Sequence, residues 1–447
     1  MEKNIFIERL LDRAKAAGFE AGEVYISESG NFRTGVHLGE ITQYSVADKI
    51  NLGFRGLYRG RMGCASTQVL DDAAIEMLIA AAKAGAELCE TEDEEFIYGG
   101  DSAYPEVEGE NPAIAAMSAA EKIRLARELE QRALDSDPRI GSCSACGVLS
   151  ILGRTRIVSS RGLDVQSARS CLGAYVLPIA RQGERTGTAS RECLLTDPAL
   201  LDLDRLASAA AAEACAFLDA ASVPSGQYPV LLRHDAAAEL LGAFSDIFTA
   251  DAAQKGLSLL KSREGEAIAA GSLSLIDDPL YPGSFFAQAF DDEGVAARRK
   301  AVIADGRLET LLHNLKTARK QGVQTTGNAS RRSCAGPITT APSILYFAPG
   351  AAAPEQLYAG AGEALLITEL MGMHSGVNAV SGDFSLGAKG FLIRNGCVDR
   401  PVNQITVAGN FLNLLQEIQA LADDLDFGGG SFGSPTLLIR GLSVAGG

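Results

Sequence analysis

The chain opens on the three-and-four spacing of a helix. Phe6, Ile7, Leu10, Leu11, Ala14 and Ala17 recur on one face, Asn4 is placed to cap it, and Gly18 marks the exit. The period then falls to two. EVYISES, FRTGVHL, EITQYSV, KINLGFR and GRMGCAST read as short strands separated by glycine-containing turns, which predicts an antiparallel meander with one solvated face. A second helix is expected from about Asp72 to Leu88. Residues 91–112 are acidic and turn-rich, and read as a linker or long loop.

The pattern then repeats in kind. A helix is predicted from about Ser118 to Ser136, strands near 139–152, 154–160, 170–182 and 185–194, and an Ala-rich helix over about 203–219. The Pro/Gly/Ser run SVPSGQYP (222–229) is the best boundary. Beyond it come a helix after Asp235, several strands, many glycines and a closing strand, TLLIRGLSV. The expected class is α+β. N-terminal α/β units with antiparallel sheets (1–90 and 113–221, joined by 91–112) precede a β-rich C-terminal domain with helices, 226–447.

Composition narrows the function. With 40 basic and 56 acidic side chains among 447 residues, the net charge is −16, and no basic stripe exists to displace counterions from nucleic acid. No run reaches the roughly 18 to 20 apolar residues of a membrane span. The segment MEKNIFIERLLDRAK carries charges through its apolar positions and lacks a signal-peptide core. Nine irregularly spaced cysteines suit reduced thiols, so a cytoplasmic protein is expected, without nucleic-acid or membrane partners.

Several motifs carry potential chemistry. Cys143 and Cys146 form a CxxC, but residues three apart on a strand are expected to face opposite ways, which favours a structural role. GGSFG (429–433) matches a nucleophile elbow only in letters, because a Ser-Pro pair and a strand follow it. No P-loop motif occurs. Of four histidines, His37 reads as a strand residue and His313 as structural, whereas His374 sits in a Gly/Met-rich turn. His234 begins HDAAAE (234–239), where residues five apart lie about 140° around a helix axis, a poor arrangement for a shared metal. Asp235 also suits a helix N-cap.

The segments HNLKTARKQGVQTTGNA (313–329), TELMGMHSGVNAVSGDFSLGAKGFLIRNGCVDRPVNQITVAGNFLNLL (368–415) and PTLLIRGLSVAG (435–446) resemble the TldD/PmbA family. GVNAVSGDFSLGAKGFLIRNG is the most specific of them and is similar to the PmbA (TldE) branch. The resemblance implies a cytoplasmic peptidase system acting on extended or unfolded peptides. In it the TldD branch holds zinc through an HExxxH helix and a late cysteine, and the TldE branch pairs with it. This chain departs from the zinc pattern. Asp235 and Glu239 stand where the glutamate and second histidine belong, and no cysteine follows Cys397.

The resemblance therefore implies a subunit without zinc of its own. Its expected partners are a TldD-type zinc peptidase subunit and/or a second copy of itself, with a peptide as substrate. Catalytic residues are not identified by this reading. Candidate peptide-binding residues are His374, Asn378, Ser381, Asp383 and Ser385, whose polar groups can meet a peptide backbone or merely shape turns. Two alternatives stay open: an autonomous metallohydrolase using His234, Glu239 and His374, and a non-catalytic protein-binding regulator.

Overall fold

The computed structural model describes residues 1–90 and 93–447, so the predicted 91–112 segment begins on two residues outside the described ones. The fold is α+β. Helix α1 (Lys3–Ala16) buries Phe6, Ile7, Leu10 and Ala14 as the spacing predicts. Asn4 is not its cap, however: the helix starts two residues earlier, and Glu2 occupies the N-cap position without a side-chain bond. Helix α2 (Asp72–Leu88) is capped by Asp71. A five-residue helix, α3 (Pro112–Ala116), precedes α4 (Ala119–Ser136), which Ser118 and Glu121 close with a capping box.

The predicted short strands are fused into long ones. β1 (Ala21–His37), β2 (Glu40–Tyr58), β3 (Arg61–Thr67), β4 (Ile140–Ser159) and β5 (Asp164–Gln182) form one antiparallel sheet in the order β3-β2-β1-β4-β5. The short β6 (Arg185–Thr188) and β7 (Arg191–Leu195) both pair with β5. Glycines expected in turns between those segments lie inside ladders, Gly30 opposite Asp48 and Gly56 opposite Gly22. At Gly53, inside the expected strand KINLGFR, a Cβ would stand 2.0 Å from the Cys334 carbonyl oxygen, so glycine there permits a close chain crossing. The β1–β4 ladder, from Glu23↔Ser159 to Gly35↔Gly147, joins the two N-terminal units into one sheet.

Both helix pairs cover the same face of this sheet at different positions along its strands, since Val24 pairs with Val158 and Thr34 with Val148. Val24 and Ile26 of β1 and Leu52 and Phe54 of β2 pack on α1 and α2. Val36, Val148, Leu172 and Ala174 pack with α4 and α5 (Leu203–Ala216). Cys143 and Cys146 both lie in that second core, contrary to the expectation of opposite faces. An irregularity between Cys143 and Ala145 resets the alternation, and burial raises both thiols, Cys143 to about 12. The pair is structural.

In the C-terminal domain, β8 (Gly226–Leu232) lies between the strands Ala364–Met371 and Leu437–Ala445. Cys397–Asn410 and Asp383–Arg394 continue the order, and Asp383–Arg394 pairs back onto Ala364–Met371, so five strands close into a small barrel. Val230 and Leu232 face one core while Leu231 faces another, which explains the unbroken apolar run at this point. The largest core unites the barrel, helix α6 (His234–Phe244) and a second sheet containing Leu275–Asp277, Lys300–Ala304 and Leu345–Phe347. Among the described residues no helix is long and apolar enough to cross a membrane.

Candidate functional site

β8 passes into α6 through Arg233 alone. Its backbone N–H donates to Ile367 O at 2.9 Å, which fixes the start of the helix beside the parallel neighbour strand. The Arg233 guanidinium donates through Nε to Asp235 Oδ1 at 2.8 Å and through Nη1 to Glu213 Oε2 at 2.8 Å. Arg191 bonds the same Glu213 oxygen, so α5 and β7 are tied to α6 by a chain of alternating charges. Burial acts to raise the Asp235 carboxyl, but the bonds and charge of Arg233 outweigh it and hold the group below its usual range. Glu213 is held down in the same way by Arg233 and Arg191 against the effect of burial.

Asp235 is not the N-cap. The helix begins at His234 with Arg233 in the capping position, and Asp235 stands in its first turn. His234 Nδ1 is buried with no hydrogen-bond partner among the described residues. Glu239 is exposed, yet desolvation and the Glu369 and Asp235 charges push its carboxyl up. Among the described residues no three His, Cys, Asp or Glu side chains are grouped to hold a metal ion, so His234, Glu239 and His374 are not brought together as a ligand set. A zinc site needs at least three such donors. The residues here offer one free ring nitrogen, an aspartate spent on Arg233 and a glutamate around the helix, and they do not fit the metal.

The turn region predicted to contact peptide follows the strand Ala364–Met371. Gly372, in the left-handed region at φ 86°, leads into the single turn Met373–Gly376, and His374 is exposed on it. Asn378 Oδ1 accepts from Val380 N at 3.1 Å and Ser381 N at 3.2 Å. Ser381 Oγ donates to Asp383 Oδ2 at 2.8 Å, and Asn410 Nδ2 donates to Asp383 Oδ1 at 2.9 Å. Asn378, Ser381 and Asp383 are therefore brought together as the frame of a tight turn. His374 and Ser385 are exposed and make no side-chain hydrogen bond among the described residues.

A second charged cluster escaped the sequence reading. Glu23 of β1, fully buried, bridges Arg55 Nη2 at 3.1 Å and Arg331. Asp291, Asp292 and Glu293 crowd the same seam: Tyr25 donates to Asp292 Oδ1 at 2.9 Å, and Ala329 N donates to Asp291 Oδ2 at 2.9 Å. Burial, and then the Glu293 charge, push Asp291 up. Burial also raises Asp292 and Glu293. The only advance sign was the acidic run DDE beside glycine, which reads as an ordinary exposed turn. The described part of the acidic loop lies along this seam, with Tyr104 donating to Gly294 O at 2.8 Å and Lys316 pairing with Glu95 at 3.1 Å.

Comparison with known proteins agrees with this architecture. Three family models match in series: PmbA/TldA metallopeptidase domain 1 over residues 22–86, the central domain over 112–218 and the C-terminal domain over 225–446. The chain is 27% identical to the metalloprotease PmbA of Escherichia coli O157:H7 over 421 residues, covering 91% of this chain and 88% of that protein. It is also 27% identical to a PmbA homologue of Haemophilus influenzae, over 93% and 90% of the two chains. A solved structure from Thermotoga maritima MSB8, provisionally described as a modulator of a DNA gyrase, superposes with a TM-score of 0.93 at 32% identity, covering 99% of this chain and all of that one. TldE from Thermococcus kodakarensis shares the fold, with a TM-score of 0.90 at 21% identity over 98% of this chain and 100% of that one. Matched along all three of its segments, the chain belongs to the PmbA/TldD family of metallopeptidase-related proteins.

Proposed function

We propose that this chain is a PmbA/TldE-type subunit of a two-subunit peptidase that cleaves extended or unfolded peptides. Zinc and the water-activating glutamate come from a TldD-type partner. One observation carries the reading: at the start of α6, Asp235 is committed to Arg233, which Glu213 also holds, and the second ligand position is the exposed Glu239. This chain's part is to hold substrate. His374 and Ser385 are exposed polar groups free to meet a peptide, and Asn378, Ser381 and Asp383 keep their turn in shape. An extended peptide bound through its backbone needs such donors and acceptors along a rigid edge.

The assembly belongs in the cytoplasm, a setting consistent with nine cysteines that are all free. Without its partner the chain pairs with a second copy of itself. The test is to mix the purified chain with a TldD-type paralogue and follow cleavage of an unstructured peptide. The mixture should form a complex and cleave faster than the paralogue alone. Failure both to bind and to change the rate would remove the proposal.

A further inference from the structure

Alternate residues of β1, β2 and β3 point away from α1 and α2, toward the C-terminal domain. Tyr25, Ser27, Asn51 and Ser66 form one wall of a cleft of about 520 Å³ on that side. Its other wall is the chain from Arg331 to Cys334, which lies against β2 because residue 53 is glycine. The volume is within the range that holds a small ligand or a few residues of peptide, about 300–1,000 Å³.

The lining is chemically one-sided. It contains two arginines, hydroxyls and amides, and no carboxylate, in a chain whose net charge is −16. Arg332 is exposed at the mouth. Arg331 is almost wholly buried, with 1% of its side chain accessible. Its placement is over-determined: Nη2 bonds Glu23, Nε donates to Asp292 O at 2.9 Å, and the guanidinium stacks 4.7 Å from the Tyr25 ring centre. Nη1 alone is buried with no partner among the described residues. With Nη2 and Nε taken, Arg331 keeps one donor for an anion, while the exposed Arg332 makes no side-chain hydrogen bond among the described residues and offers the whole fork that a carboxylate matches.

We propose that this cleft is a carboxylate-binding site for a peptide, with Arg331 and Arg332 receiving the carboxylate and Ser27, Asn51 and Ser66 flanking the backbone. The choice of a peptide as ligand rests on the peptidase-subunit reading. The carboxylate is either a free C-terminus or an acidic side chain, and the two are separable.

The test uses the full chain alone and calorimetric titration with three tetrapeptides. The first has a free C-terminus and no acidic residue, the second is amidated and contains one Glu, and the third is the same amide with Gln in place of Glu. The Gln amide should bind at least tenfold more weakly than the better of the other two, and which of those binds tighter names the source. Arg332→Ala, an exposed change that leaves the Glu23 pairing intact, should weaken the better peptide at least tenfold, while thermal melting shows the fold retained. Gly53→Ala, which displaces the Arg331–Cys334 wall, should weaken it as well. Equal binding of all three peptides, binding of none, or full affinity in Arg332→Ala overturns the proposal. No partner and no cleavage enter the measurement, so its failure is distinct from failure of the assembly reading.

Discussion

The N-terminal sheet meets the C-terminal domain at two charged seams, and these treat their carboxyl groups in opposite ways. At the α5–α6 seam, Glu213 and Asp235 face Arg191 and Arg233, and both carboxyls are held below their usual range despite burial. At the β1 seam, Glu23, Asp291, Asp292 and Glu293 are gathered around Arg55 and Arg331. Glu23 takes both guanidiniums and is held down. The other three are pushed up by burial, and Asp291 also by Glu293. Burial works against the charge at both seams, and the carboxyls that keep it are those bonded directly by a guanidinium.

The largest effect should come from breaking the second seam. Arg331→Met leaves Glu23 buried with Arg55 alone, and removing one partner of a buried pair costs about 3–5 kcal/mol. Denaturant unfolding should report a loss of that size, and a loss below about 1 kcal/mol would show that the bridge is not buried as described. Glu213→Gln at the first seam removes a carboxylate shared by two arginines whose side chains keep 27% and 16% accessibility. The cost should be smaller, about 2 kcal/mol by the same measurement.

The pH dependence sharpens the contrast. Glu213 and Asp235 are lowered in the folded chain, so their contribution is present above the ordinary carboxylate range and is lost as pH falls through their folded values. Asp291 is raised, so the folded state holds its proton more tightly than the unfolded chain does. That contribution is full at low pH and is lost as pH rises toward the raised value. Melting temperatures should therefore show a shallower acid limb in Glu213→Gln and, in Asp291→Asn, a shallower fall between the ordinary carboxylate range and about pH 8. Parallel curves for wild type and both variants would contradict the assignment. The smallest effect is expected at the exposed turn: Ser381→Ala should leave the melting temperature within error, since the bond to Asp383 is in solvent.

The helices were legible in the sequence because their signals are local. The apolar face of α1, the span of α2 and the helix beginning after Ser118 stand where the spacing puts them. Long strands were not, because glycines such as 30 and 56 look like turns between short strands until the neighbouring ladder explains them. The turn frame of Asn378, Ser381 and Asp383 was readable as polar residues in a short span. Its separation from His234 and Glu239 as a ligand set was not, since their relation depends on how the barrel closes. Both charged seams join residues far apart in the chain, such as Glu23 and Arg331, and no local pattern announces them.

We propose that the start of α6 holds the Arg233–Asp235 ion pair and no metal. Zinc per chain in the purified, untagged protein, measured by elemental analysis, tests it most directly. The account predicts a value near zero that is unchanged in His234→Ala. A stoichiometric value that disappears in His234→Ala would contradict it and make HDAAAE a metal site.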